Sequence, residues 1–338
     1  MKHVAAAAGV SVMTVSLALR RDPSIPERTR ERVLAMVERV GYRRNPLVSA
    51  LMSGLRGRHP RGRDAHVIAY VDTFGSVMTK HQRETLRRFR NGAADCAAQH
   101  GYRLERFRMG GEGLSEARLE RVLLARGIRG VVLAPFPKTG SGLTQPWRDH
   151  ALAALGYSLA QPPLHRAVNH QVHSFRLAVA ELLARGYRRI GLVMSRHEDA
   201  RVGRNWISSA LLAQHEHAGT DRAFPLYFAD RINRGALLRW LRQQRPDVVV
   251  STEPGVQSWV RLAAREATRR IGFAHLHLSS DTTGCSGIDQ NNERVGAAAV
   301  DLVVEQLHAN NYGIPPNPKT VLIEGRWTAG RTAPGLAP

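Results

Sequence analysis

Two cysteines, Cys96 and Cys285, are all that a chain of 338 residues contains. They lie far apart and form no CxxC, so neither a disulfide scaffold nor a zinc knuckle is indicated, and a reducing compartment fits. No apolar run approaches the length of a membrane span, and the first residues lack a charged-then-apolar leader with a small-residue cleavage site. The expectation is a cytoplasmic protein with no membrane partner. Acid is scarce as well: 28 Asp and Glu stand against 49 Lys and Arg, a formal charge of +21. A surplus of that size favours polyanionic partners, nucleic acid above all.

The motifs of catalysis and cofactor binding are missing too. Gly110-Gly-Glu-Gly113 is not a G-x-G-x-x-G opening a helix after a strand, and no G-x-S-x-G elbow occurs. His215 and His217 are two apart and cannot share a helical face as metal ligands. His165, His170 and His173 form a loose group with no Cys or carboxylate at ligand spacing, which reads as solvated loop histidines. No catalytic residue, metal or cofactor is expected.

What is present begins with 43% hydrophobic residues, enough for two or three domains with real cores. Charge is concentrated at the front: residues 1–63 hold 13 Lys and Arg against 4 Asp and Glu, whereas the other 275 residues hold 36 against 24. Three short helical patterns occupy this basic region. Val4, Ala5 and Ala8 share one side of the first; Gly9 stops it, and Ser11 is placed to cap the second. Val15, Ala18 and Leu19 give the second helix an inward stripe, yet its outer face reads Val12, Met13, Ser16 and Leu17. The third follows Ile25-Pro26 and runs to about Val40 with Val33, Leu34, Val37 and Val40 facing in. A helix, a Gly turn and a second helix at this spacing form a helix-turn-helix, whose second member enters the DNA major groove. Asn45-Pro46 starts a further short helix, and 54–64 (GLRGRHPRGRD) is a linker.

From residue 66 strands and helices alternate. Candidate strands are 66–71, 102–108, 130–135, 151–158, 189–194, 225–229, 247–252 and 270–276, with amphipathic stretches near 80–100, 115–126, 172–186, 204–216, 234–244, 255–268 and 292–309. Near-continuous apolar strands between helices predict parallel sheets covered on both faces, and eight or more strands in about 250 residues fit two doubly wound lobes.

The stretches Val4-Ala-Ala-Ala-Ala-Gly-Val-Ser-Val-Met-Thr-Val-Ser-Leu-Ala-Leu19, Ile25-Pro-Glu-Arg-Thr-Arg-Glu-Arg-Val33 and Gly41-Tyr-Arg-Arg-Asn-Pro46 resemble the headpiece of the lactose-repressor (LacI/GalR) family, ungapped through residues 4 to 51. Later matches are shorter, at Gly186-Tyr-Arg-Arg-Ile-Gly191 and Ile288-Asp-Gln-Asn-Asn-Glu-Arg-Val-Gly296. The resemblance implies a headpiece at 1–45, a hinge helix and linker at 46–65, and a periplasmic-binding-protein-like effector and dimerisation domain at 66–338. Lobe 1 of that domain would span about 66–162 and 288–315, lobe 2 about 163–287 and 316–338.

Carried over by position, Val12, Met13 and Leu17 would touch base edges. Ser11, Thr14, Ser16, Thr29, Tyr42 and Asn45 would hold phosphates. Leu51 would wedge into the minor groove at the dimer axis, in a hinge helix ordered only on DNA. Leu17 departs from a frequent arginine, which removes an Arg-to-guanine contact, and Arg44 replaces the usual proline. Members usually have several residues before the stretch matching His3-Val4, implying either a start upstream of Met1 or a missing phosphate contact. In the effector region Arg201 and Arg204 compete for one polar role, His277 stands where an aspartate is common, and Phe74 and Trp206 are either stacking platforms or core.

The implied protein is a homodimeric transcription regulator, a repressor reading a palindromic double-stranded operator under control of a small-molecule effector, a sugar or related metabolite. The alternative is a soluble solute-binding protein without a DNA role, against which the basic headpiece argues; a doubly wound enzyme lacks a nucleophile or phosphate loop. Inducer against corepressor, and dimer against tetramer, stay open.

Overall fold

The computed structural model describes residues 2–18, 25–39, 66–75, 78–111, 113–253 and 255–336. The chain divides into one unit at Met1–Gly57 and a second at Arg58–Pro338. Among the described residues no helix is long and apolar enough to cross a membrane.

The first unit contains α1 (Lys2–Ala8), α2 (Val12–Ala18) and α3 (Glu27–Arg39). Gly9 adopts a φ of +62°, a left-handed conformation that glycine takes without a steric penalty, and this ends α1. Ser11 Oγ accepts from Thr14 N at 3.0 Å and caps α2. Val4, Ala5, Ala8, Val15, Ala18 and Val33 form the small core, with Ile25, Met36 and Val37 against it. Leu34 does not face in: it is exposed on α3, because Val33 already fills the position toward α1 and α2. Leu19 and Val40, also expected to face in, and the helix expected after Asn45 lie outside the described residues.

The second unit holds two six-stranded sheets. The first contains β1 (Val67–Asp72), β2 (Arg103–Arg108), β3 (Gly130–Leu133), β5 (Ala151–Leu155), β7 (His165–Asn169) and β13 (Thr320–Ile323). They run in the order β13-β7-β5-β3-β1-β2, parallel throughout. The second contains β8 (Ile190–Ser195), β9 (Leu226–Ala229), β10 (Val248–Ser251), β11 (Gly272–His275), β12 (Ser286–Asp289) and β14 (Arg326–Thr328). Their order is β14-β12-β11-β10-β8-β9, with only β14 antiparallel. Two short strands, β4 (Ser141–Gly142) and β6 (Leu159–Gln161), pair separately.

On one face of the first sheet lie α4 (Lys80–Gln99) and α11 (Asn292–Ala309); α5 (Glu116–Arg126) covers the other. The second sheet is covered by α6 (Gln171–Ala184) and α8 (Asn205–Glu216) on one side, by α9 (Arg234–Gln244) and α10 (Val256–Glu266) on the other, with α7 (Arg196–Arg201) at the end of β8. Strands buried on both faces are continuous apolar runs, as parallel sheets require; β1, β3, β5 and β10 are buried at every residue.

The chain passes between the sheets after β7, after β12 and between β13 and β14. These crossings lie later than the bounds near 162, 288 and 315 that the resemblance implies, because β7 and β13 belong to the first sheet. Segment 165–169 (HRAVN) lacks the apolar run that would mark it as a strand, and 320–323 (TVLI) is an apolar run only four residues long. The expected strand 151–158 ends at Leu155 for a similar reason: Gly156, at φ +75°, turns the chain.

Candidate functional site

Two places carry chemistry, one in each unit. In the headpiece, α2 buries Val15 and Ala18 completely while Val12 and Met13 are 40% and 72% exposed. The outer face is therefore apolar and uncovered within the unit, an arrangement that short surface helices avoid unless something docks there. Leu17 is partly buried at its edge. Of the residues expected at phosphates, Ser11 spends its hydroxyl on the cap and on Thr14 Oγ1, 2.9 Å away. Thr29 is partly buried in the first turn of α3, where its N–H donates to Pro26 O. The side chain of Ser16, with Tyr42, Asn45 and Leu51, lies outside the described residues.

In the second unit a cavity of about 190 Å³ opens where the carboxyl ends of the parallel strands of both sheets face each other. Doubly wound sheets bind ligands in this position, because the loops after the strands converge there. The first lobe contributes the loop after β1 with Phe74, the start of α4 with His81, Gln82 and Thr85, Tyr157 after β5, and Asn169 at the end of β7. The second contributes Glu198 and Arg201 from α7, Trp206 from α8, Thr252, His277 and Gln290.

A polar chain crosses this cleft. Asn169 Nδ2 donates to Gln290 O at 2.8 Å and to Asn292 Oδ1 at 3.0 Å, which orients the Asn292 amide so that its Nδ2 donates to His277 Nε2 at 2.9 Å. His277 then carries its proton on Nδ1 and gives it to His81 Nε2, 3.2 Å away, and His81 Nδ1 reaches Ser279 Oγ at 3.3 Å. This tautomer assignment follows from the amide donors. Burial, then the neighbouring imidazoles, hold His277 well below the ordinary range and bring His275 down to about 4; burial alone lowers His81. All three rings are neutral near pH 7. Around them Ser280 N donates to Glu84 Oε1 at 2.8 Å, Lys80 pairs with Asp281, and Arg88 bridges Glu293 and, at 2.9 Å, Asp289.

Arg201 stands on the other side of the cleft. Its Nη1 donates to Pro137 O at 2.8 Å and the guanidinium lies 5.6 Å from the centre of the Phe74 ring. It therefore holds the two lobes together while facing the cavity. Burial raises the Glu198 carboxyl, against the Arg201 charge. Among the described lining residues these two carry the formal charges, and the rest is aromatic, aliphatic or neutral polar.

Of the residues expected here, Phe74, Arg201, Trp206 and His277 converge. Arg204 does not: it occupies the left-handed N-cap of α8, at φ +62°, exposed and away from the cavity. Between the two arginines the choice falls to Arg201 because α7 ends with it on the cleft side and the chain turns at Gly203. Trp206 is both things at once, packed in the second lobe's core and lining the cavity. The three histidines read as solvated loop residues are built into structure: His165 lies in β7 and its Nδ1 accepts from Lys319 N, His170 caps α6, and His173 lies in the first turn of that helix. His81, Glu198 and Asn169 were invisible as a group, since each stands at the end of a different element. The one usable signal was the polar run Asp289–Glu293 between apolar neighbours, which supplies Gln290, Asn292 and Glu293.

Comparison with known proteins bears on the headpiece first. Residues 1–45 match the family model of bacterial regulatory proteins, lacI family. Residues 1–45 are thus a lacI-family regulatory headpiece. A curated relative, an uncharacterized HTH-type transcriptional regulator, YkvZ, of Bacillus subtilis (strain 168), is 26% identical over 196 residues, 58% of this regulator and 56% of the relative. The regulator thus matches little more than half the length of that relative. For the fold, the lac repressor dimer bound to operator and the anti-inducer ONPF superposes with a TM-score of 0.53 at 16% identity, covering 98% of this regulator and 97% of that chain. The transcriptional regulator CelR in complex with cellobiose gives 0.54 at 16%, covering 98% of each. The two α/β lobes of this regulator thus share the fold of LacI-family proteins.

Proposed function

We propose that the regulator is a homodimeric, sequence-specific DNA-binding repressor whose affinity for a palindromic operator is set by a small molecule, a sugar or related metabolite, held between the lobes. The observation that carries this reading is the second headpiece helix: within a lacI-family match it buries Val15 and Ala18 and leaves Val12 and Met13 uncovered. Apolar side chains in a major groove read thymine methyls and shape more than guanine hydrogen bonds. Ser11, Thr14, Ser16, Thr29, Tyr42 and Asn45 set register on phosphates, and Leu51 supplies the minor-groove wedge.

The cleft supports the second half of the proposal. Cross-lobe bonds through Arg201 and His277 give a closed state that a ligand favours or disfavours, and differential affinity for two states is what control requires. The CelR neighbour was solved with cellobiose, which supports a sugar as the first compound class to try.

A randomised-site selection with the full chain tests the headpiece. An inverted-repeat consensus is expected, and Leu17→Arg should shift preference toward guanine at one position in each half-site; a selection with no consensus would overturn the reading. Leu51→Ala should weaken operator binding and leave nonspecific, salt-sensitive binding nearly intact, whereas equal loss of both refutes the wedge. For the cleft, a thermal-shift screen of sugars and sugar acids should give hits that Trp206→Ala or Arg201→Ala abolishes.

A further inference from the structure

Cys96 and His100 stand four residues apart at the end of α4, so their side chains share one face of the helix. Asp301, on α11, meets that face. Its Oδ1 lies 3.3 Å from Cys96 Sγ and 2.9 Å from His100 Nε2, and the three donor atoms all fall within 4.8 Å of one another. We propose that this thiol, imidazole and carboxylate bind a divalent transition-metal ion, with the donor set selecting Zn²⁺.

Three properties of the cluster carry the proposal. The first is donor chemistry: sulfur, nitrogen and one carboxylate oxygen suit zinc and its neighbours and do not suit magnesium or calcium. The second is spacing. Ligand atoms of a tetrahedral zinc stand roughly 3.3–3.8 Å apart, given bonds of about 2.0–2.3 Å, so the two contacts to Asp301 need adjustment of about half an ångström or less, and all three atoms already lie within 4.8 Å of one another. The third is a rigid frame with an open door. Gly92 and Gly296, where α4 and α11 touch backbone to backbone, lie about one turn from Cys96 and Asp301 and fix the distance between the helices. The thiol is buried, while the His100 and Asp301 side chains are 38% and 61% exposed, which gives an ion and its waters an approach.

The proton count is explicit. Without metal the Cys96 thiol donates to Asp301, and burial followed by that carboxylate pushes the thiol up to about 12. An arriving M²⁺ takes the sulfur lone pair, the S–H bond breaks, and the proton leaves to solvent. His100, whose Nε2–H faces Asp301 without metal, takes its proton on Nδ1 instead and gives the Nε2 lone pair, Asp301 gives one oxygen, and water completes the shell. Binding therefore releases about one proton and tightens as pH rises. Both helices belong to the first lobe, so occupancy clamps that lobe and makes no bond across the cleft.

Co²⁺ is the probe, titrated into metal-free, reduced, untagged full-length protein, because thiolate ligation produces a near-ultraviolet charge-transfer band. That band is expected in the unaltered protein and in Cys285→Ser, and is lost in Cys96→Ser. His100→Gln and Asp301→Asn should each weaken Co²⁺ binding about tenfold or more. Metal-free melting curves establish that each variant is folded, and Zn²⁺ should raise the melting temperature of the unaltered protein and not that of Cys96→Ser. Absence of the band, its survival in Cys96→Ser, or unchanged affinity in both His100→Gln and Asp301→Asn overturns the proposal, the last by leaving only an adventitious thiol.

Discussion

A Cβ added at Gly296 would stand 1.8 Å from Phe89 O, and one added at Gly92 would stand 1.8 Å from Glu293 O. Neither neighbour is a flexible side chain; both are carbonyls of the opposite helix. Gly296→Ala must therefore push α4 and α11 apart, which strips contacts from the core that Phe89, Ala93, Val295 and Ala299 share. The expected cost is about 2–3 kcal/mol or more, seen as a lower urea midpoint in equilibrium unfolding. Unaltered stability would show that the helices separate freely. Position 296 closes the stretch from Ile288 that marked the resemblance, so the glycine was visible, but its reason was not. Close approach of two backbones depends on a partner 200 residues away, which no local pattern encodes. Half-buried Glu116 was equally silent. Its carboxylate accepts from Thr144 N, Gln145 N and Trp147 Nε1, and these bonds, working against burial, hold it below the usual carboxylate range.

At the scale of elements, the start of α4 and the loop after β11 form one assembly through His81, His275 and His277. In the closed cleft these rings are neutral, whereas in an open or unfolded chain they return toward about 6.5. Above that pH they contribute no pH dependence. Between about 6.5 and 4 the open state binds more protons, so closure loses stability as pH falls. Small-angle scattering should show the second unit expanding across this window, and His277→Gln should flatten the change. A profile identical in the variant would assign the effect elsewhere, His150 being another buried imidazole lowered to about 4. Arg201→Ala should likewise favour the open form, since it removes the bond to Pro137 and the stack on Phe74. Helices such as 234–244 and 292–309 were legible because their apolar residues repeat every three to four positions. Strands β7 and β13 were not, since HRAVN breaks its apolar residues with charge and TVLI is only four residues long.

Across the whole molecule the charge of +21 acts on any duplex, not only on an operator. Binding to random DNA should fall steeply with salt, by on the order of 10³ between 50 and 200 mM if about six phosphates are neutralised. A shallow slope in a titration would place the excess arginine away from DNA. The division into a basic headpiece and two α/β lobes was readable from composition and rhythm. The cleft's polar chain was not, because it is assembled from the ends of β7, β11, β12 and α4, and only the order of strands in each sheet brings those ends together.

Neither lobe is a continuous stretch of chain, and the first is covered by α11 and edged by β13, both from its far end. During synthesis the described headpiece helices are finished at Arg39, whereas α11 begins at Asn292. At ordinary elongation rates that interval lasts on the order of tens of seconds. For that time each nascent chain carries its headpiece without a finished first lobe, and a message or polypeptide truncated before α11 would release a headpiece without the cleft proposed to govern it.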